Sequence, residues 1–249
     1  MEVKRLEGKG NKIKLLFKGV DTPLMNGLRR TAMAGIPVIA IEDVTFFEND
    51  SPISDEMLAH RLGMLPIEST KEIKEGDEFS FTLQKEGPGT VYAKDIQGKD
   101  PKTKIAASKT PITELDKKQS IKLEMKAIAG KGSQHAKWQA GIISYKNLPK
   151  ITVDEDCEKG KSIVDSCPVN VLELRNKKVV LADAPGCTLC GNCRDTCKEG
   201  HVHIDYQQDQ FVVDMESHGG IENERILLKS IEVLQEKAQS FKKALKSRE

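Results

Sequence analysis

The chain has 249 residues, enough for one large domain or two to three small ones with real cores. Charged residues make up 31% of it and hydrophobic residues 38%, which excludes a disordered chain, and no apolar run approaches the roughly 18 residues of a bilayer span. A net charge of +1 gives no global pull toward nucleic acid, and an aromatic content of 4% argues against a stacking platform for single strands.

The opening "MEVKRLEGKGNK" has no apolar core after its charges, so no secretory signal is read there and a cytoplasmic location is expected. Next, "NKIKLLFKGV" places Ile13, Leu15 and Phe17 on one face of a predicted strand. Asp21 or Thr22 offers a helix cap with Pro23 at the first helical position, and Leu24, Leu28 and Ala32 recur on one face before Gly35 stops the helix. "IPVIAIEDVTFFEND" reads as a strand, and Ser54 followed by Asp55 and Glu56 starts a short helix. From about residue 75 to 150 the pattern is short strands and turns: "EFSFTL" alternates, "KEGPGT" is a hairpin-type break, and Ile121, Leu123 and Met125 alternate again. "QFVVDM" is a further strand.

The last thirty residues read as one long helix. Leu227, Ile231, Leu234, Ala238, Phe241 and Leu245 form a heptad-like seam, with Lys and Glu on the other faces. Such a seam lies either on the sheet of its own domain or against a partner chain. A terminal helix of this length has little of its own chain left to cover it, which favours a partner.

Six cysteines in a chain with no export signal point to metal rather than to a disulfide framework. "CTLCGNCRDTCKEG" holds Cys187, Cys190, Cys193 and Cys197 at the spacing of a ferredoxin cluster loop, with Lys198 in place of the usual proline. Upstream, Cys157 and Cys167 are ten apart, as are Cys187 and Cys197, and Pro168 follows Cys167. Residues 157–167 therefore read as a second copy in which Gly160 and Ile163 replace the middle cysteines. The segment resembles a two-cluster ferredoxin domain that has lost one site. In that arrangement the fourth cysteine of each run serves the other cluster. The resemblance thus implies one iron–sulfur cluster, [4Fe-4S] or [3Fe-4S], held by Cys167, Cys187, Cys190 and Cys193. It also places Cys157 and Cys197 near each other at the lost site, either as a disulfide or as a reduced pair. Zinc is the alternative metal, but it commonly takes two separated CxxC pairs, which this spacing does not supply.

Residues 26–67, "NGLRRTAMAGIPVIAIEDVTFFENDSPISDEMLAHRLGMLPI", are similar to the α-motif of RNA polymerase assembly proteins, in particular the D-type family of the archaeal DNA-directed RNA polymerase. "GSQHAKWQAG", residues 132–141, also resembles that family, as does the layout along essentially the whole chain. The family corresponds to the third-largest eukaryotic subunit and the bacterial α N-terminal domain. The resemblance implies an α+β fold: a split α-like dimerisation domain (1–41 plus 208–249), a strand-rich insert domain (42–150) and a ferredoxin-like iron–sulfur insert (151–207). It implies an α-like heterodimer with subunit L, joined by subunits N and P and docking the large catalytic subunits. Those large subunits carry the catalytic Mg²⁺, so no active site is expected in this chain, and DNA is met only through the complex. Arg29 and Arg30 then become candidate contacts to a large subunit, where a solvated helix end is the plainer reading.

Weaker signals take structural readings. "GKGSQH" lacks the third glycine of a dinucleotide loop and reads as a turn. His60 and His135 have no ligand partners at metal spacing, and His201 and His203 would share one face of an exposed strand. The competing function is a ferredoxin-type electron-transfer protein with partner-binding domains. It leaves the α-like motif and the terminal helix without a role, so the cluster is expected to be mainly structural, with redox sensing as a further possibility.

Overall fold

The structure is a computed structural model that describes residues 1–69, 72–154, 160–176, 178–197 and 200–246. Strands β1 (Glu2–Lys9) and β2 (Lys12–Lys18) come first. Ile13, Leu15, Leu16 and Phe17 are all buried, so the middle of β2 is covered on both faces and not only on the face that alternation marks. Helix α1 spans Thr22–Ala34. The Leu24 N–H donates to Asp21 Oδ1 at 3.0 Å, which makes Asp21 the capping side chain. The inward stripe is Met25, Leu28 and Ala32, whereas Leu24 is exposed, contrary to the expected face. The physical reason is angular: positions 25, 28 and 32 lie on one line at i, i+3 and i+7, and Leu24 falls to its flank in the first turn.

After α1 come β3 (Pro37–Asn49), α2 (Asp55–Gly63), β4 (Ile67–Ser69), β5 (Glu78–Glu86), β6 (Gly89–Tyr92), β7 (Gln97–Gly98), β8 (Thr103–Ile105), β9 (Pro111–Leu115) and β10 (Ser120–Lys131). β11 (Gly141–Val153), α3 (Gly160–Asp165), β12 (Leu172–Arg175), β13 (Lys178–Leu181), α4 (Asn192–Thr196), β14 (Val202–Ser217) and α5 (Asn223–Lys246) complete the chain. The fold is thus a mixture of α and β in which strands predominate.

Two compact units divide the residues: Met1–Glu7, Lys14–Met25 and Ser144–Asp214 in the first, Gly8–Ile13, Asn26–Ile143 and Met215–Glu249 in the second. One four-stranded sheet has the order β1-β2-β14-β11 and another the order β3-β10-β5-β7. In the second sheet β10 runs antiparallel to both neighbours, with Leu123 opposite Phe46 and Leu83 and Met125 opposite Val44 and Phe81. Irregularities after Lys122 and Lys126 bend its pairing with β3. Ile121, Leu123 and Met125 are fully buried in one core with Leu58 and Leu62 of α2, each burial worth roughly 1.5–3 kcal/mol. The "KEGPGT" break does separate two strands, but β5 and β6 are not a hairpin. β5 pairs with β10 and β7, and β6 pairs with β9.

The "GSQHAKWQ" stretch clasps the second unit. Trp138 lies so close over Gly130 that a Cβ there would sit 2.5 Å from the indole ring, and its Nε1–H donates to the Ile128 carbonyl at 3.0 Å. The Lys137 ammonium lies 4.7 Å from the centre of the ring, donates to the Ile41 carbonyl at 3.0 Å and pairs with Glu42. His135 uses its Nδ1 to accept the Lys137 N–H, a structural role as expected.

Candidate functional site

The cysteine segment of the first unit is built from turns. Chain direction reverses after α3, where the Cys167 N–H bonds to the Val164 carbonyl and Asn170 takes a positive φ of 53°. It reverses again around Cys187, whose N–H bonds to the Ala184 carbonyl. Leu189 and Gly191 then both adopt left-handed backbone, with φ of 57° and 88°. Gly191 accommodates this at no steric cost and starts α4, accepting hydrogen bonds from the Arg194 and Asp195 N–H groups.

These turns bring four of the predicted residues together. Cys167, Cys187, Cys190 and Cys193 line one small cavity, closed by Val171, Leu172 and Ile204. Cys167, Cys187 and Cys193 are 9%, 6% and 7% exposed, and Cys190 is open to solvent. Burial pushes the Cys193 thiol up; the Arg194 N–H offsets part of this, and the sulfurs of Cys187 and Cys190 push it up further. Among the described residues, no group of three or more His, Cys, Asp or Glu side chains is arranged to hold a metal ion. What the four residues share is the lining of one small cavity. Four cysteine thiols are soft donors of the kind that an iron–sulfur core would take.

Two further contacts bear on the same loop. The Leu189 N–H donates to Cys187 Sγ at 3.5 Å. From β11, the ammonium of Lys146 donates to the Cys187 carbonyl at 2.7 Å. Sequence reasoning misses Lys146, because the contact joins positions 41 apart and a lysine in an alternating strand carries no signal of it.

The expected second copy carries a short helix, as the downstream run does in α4. Gly160 and Ile163 sit in α3, where Ile163 is fully buried and Gly160 packs beneath Leu174 and Val179. Cys197 is buried, but Cys157 lies outside the described residues, and with it the pairing expected of these two. His201 and His203 flank one carboxylate oxygen of Asp154 at 3.6 and 3.4 Å.

The second candidate site is on α5. Its inward stripe is Asn223, Ile226 and Ser230, with Val233 half-buried. The expected seam lies beside that stripe. Leu227 and Leu234 are half-buried, Ile231, Phe241 and Leu245 are 41%, 68% and 55% exposed, and every residue from Gln235 to Lys246 is exposed. Within the second unit, α5 and the end of α1 border an open groove of about 1120 Å³. Arg29, Arg30 and Ala34 line one wall, Val233, Leu234 and Lys237 the other. Arg29 is held by Asn26 Oδ1 at 3.0 Å, and Arg30 is exposed. Burial pulls the Lys229 ammonium down, and Arg225 adds to this against the opposing pull of Glu72 and Glu232.

Among the described residues, no helix is long and apolar enough to cross a membrane. Residues 44–156 match the family model for the RNA polymerase Rpb3/RpoA insert domain. Over nearly its whole length the chain is similar to proteins named DNA-directed RNA polymerase subunit Rpo3. The Methanosarcina acetivorans protein is 34% identical, with 97% of each chain covered. The Methanobrevibacter smithii protein is 32% identical, again with 97% of each covered. The Thermococcus kodakarensis protein is 33% identical, covering 97% of this chain and 96% of its own.

Proposed function

This chain belongs to the family of DNA-directed RNA polymerase subunit Rpo3, and from that premise we propose that it is a non-catalytic assembly subunit. It forms an α-like heterodimer with subunit L, onto which subunits N and P and the large catalytic subunits dock. The observation that carries the heterodimer is the exposed seam of α5. Twelve consecutive exposed residues, Gln235 to Lys246, end that helix, and an isolated helix of that length is marginal in water. A partner helix against Leu234, Phe241 and Leu245 supplies the missing apolar contact. Arg29 and Arg30, on the wall of the same groove, are suited to bidentate pairing with acidic groups of a large subunit.

The same proposal gives the chain one iron–sulfur cluster on Cys167, Cys187, Cys190 and Cys193. When bound, the cluster supplies iron–thiolate bonds that tie the loop after α3 to the loop before α4. The chain's own part is to present four thiols, three of them buried, and to shield them with Val171, Leu172 and Ile204. A purely electron-carrying role leaves the α5 seam without a function.

Co-expression with subunit L, anaerobic purification, iron analysis and electron paramagnetic resonance test both parts. The expected result is a complex of one chain with one partner that carries three or four irons, according to cluster type. Elution of the chain alone, with subunit L unbound, removes the heterodimer reading; a colourless, iron-free complex removes the cluster.

A further inference from the structure

We infer that Lys146 is a positioning residue for the cysteine loop and a cation whose charge acts on the loop's sulfurs. The assignment rests on the cluster reading above. Lys146 lies on β11, outside the cysteine motif, and is half-buried. Its ammonium donates to the carbonyl of Cys187 at 2.7 Å, and Cys187 is one of the four residues that line the cavity. A charge-assisted bond to a backbone carbonyl fixes the loop where the first thiol leaves it. The bond also joins the loop to a strand of the β1-β2-β14-β11 sheet, an element that contributes none of the four cysteines.

The second consequence is electrostatic. Four thiolates with an iron–sulfide core carry net negative charge, and each added electron makes it more negative. A fixed cation on the backbone of one of these cysteines favours the reduced state, and partial burial weakens the screening by water. The Leu189 N–H bond to Cys187 Sγ acts in the same direction on the same residue. Cys187 therefore receives two donors, one on its sulfur and one on its carbonyl.

The experiment uses the full chain in complex with subunit L, with Lys146→Met and Lys146→Arg. Iron and sulfide content are measured first, and then the midpoint potential by a redox titration followed by electron paramagnetic resonance. Lys146→Met should keep the iron and shift the midpoint to more negative potential, and Lys146→Arg should stay near the parent. Loss of iron from Lys146→Met with retention in Lys146→Arg also supports the assignment, because it shows the cation holding the loop. A fully loaded Lys146→Met at the parent potential overturns it, as does equal iron loss from both variants. An iron-free parent complex instead brings down the cluster reading, and the Lys146 assignment with it.

Discussion

Among the described residues, the core around β3, β10, β5 and α2 holds twenty buried side chains, all of them aliphatic or aromatic apart from one methionine. The core of the cysteine segment holds eight, and four of those are cysteines. The first core draws on extensive apolar burial, at about 25 cal/mol for each Å² removed from water. The second has too few large side chains for that, and its cysteines contribute little area each. On the proposed cluster reading, bonds to its sulfurs would add to what this small core supplies. On that proposal the two regions should fail in different ways: the strand-rich core by cavities, the cysteine segment by loss of the proposed cluster.

The largest effect that separates them is expected from Cys187→Ser combined with Cys190→Ser. Iron content should fall to background, and amide exchange in residues 160–197 should speed up by about a hundredfold, or ~3 kcal/mol of lost local protection. β10 should be unaffected. Unchanged exchange in the cysteine segment would show that its eight-residue core suffices. Next in size is Leu62→Ala, which opens a cavity in the strand-rich core and should cost about 2–5 kcal/mol in denaturant unfolding. Here the iron content should stay at the parent level. If iron is lost with it, the two regions are not independent.

A third test addresses the exposed helix. Phe241→Ser should leave the isolated chain's stability within about 0.5 kcal/mol, because Phe241 is largely exposed. It should weaken binding of subunit L by about tenfold or more in isothermal titration calorimetry. The smallest effect belongs to a polar pair inside the strand-rich unit. Lys85 Nζ lies 2.6 Å from Asp95 Oδ2, with both side chains largely covered. Burial pushes the Asp95 carboxyl up, but the Lys85 bond and the Tyr92 N–H outweigh it and hold it below the ordinary carboxylate range. A depressed carboxyl contributes stability that is present above its unfolded pKa and lost as pH falls through the folded value. Lys85→Met should cost roughly 1–2 kcal/mol at neutral pH. The deficit should shrink in acid, as urea midpoints measured across that range will show.

Much of the molecule is legible residue by residue. The strands that alternate cleanly, with Ile121, Leu123 and Met125 inward, follow from a period of two against a half-covered sheet. The candidate ligand set is legible because ferredoxin spacing is a local signature, and the four cysteines do share one cavity. The α5 seam is legible as a period, although whether it faces inward or outward is not. Ile226 and Ser230 turn a neighbouring stripe toward the chain, and that choice depends on what lies beneath the helix. Leu24 is misplaced by the same limit, since periodicity gives a face but not its exact bearing. The pairing of β5 and β6 is illegible because a turn between strands does not say which strand each will join.

By itself, then, the sequence determined the materials: the strand periods, the helical seam, the cysteine spacing and the family. These are local or short-range properties, set by backbone geometry and by distances along the chain. Only the tertiary structure decided what crosses long distances in sequence. It seated Lys146 on the Cys187 carbonyl, filled the neighbourhood of Gly160 with Leu174 and Val179, and left Phe241 and Leu245 outside. Each of these depends on which surfaces compete for burial once the chain has folded, and no stretch of sequence carries that competition alone.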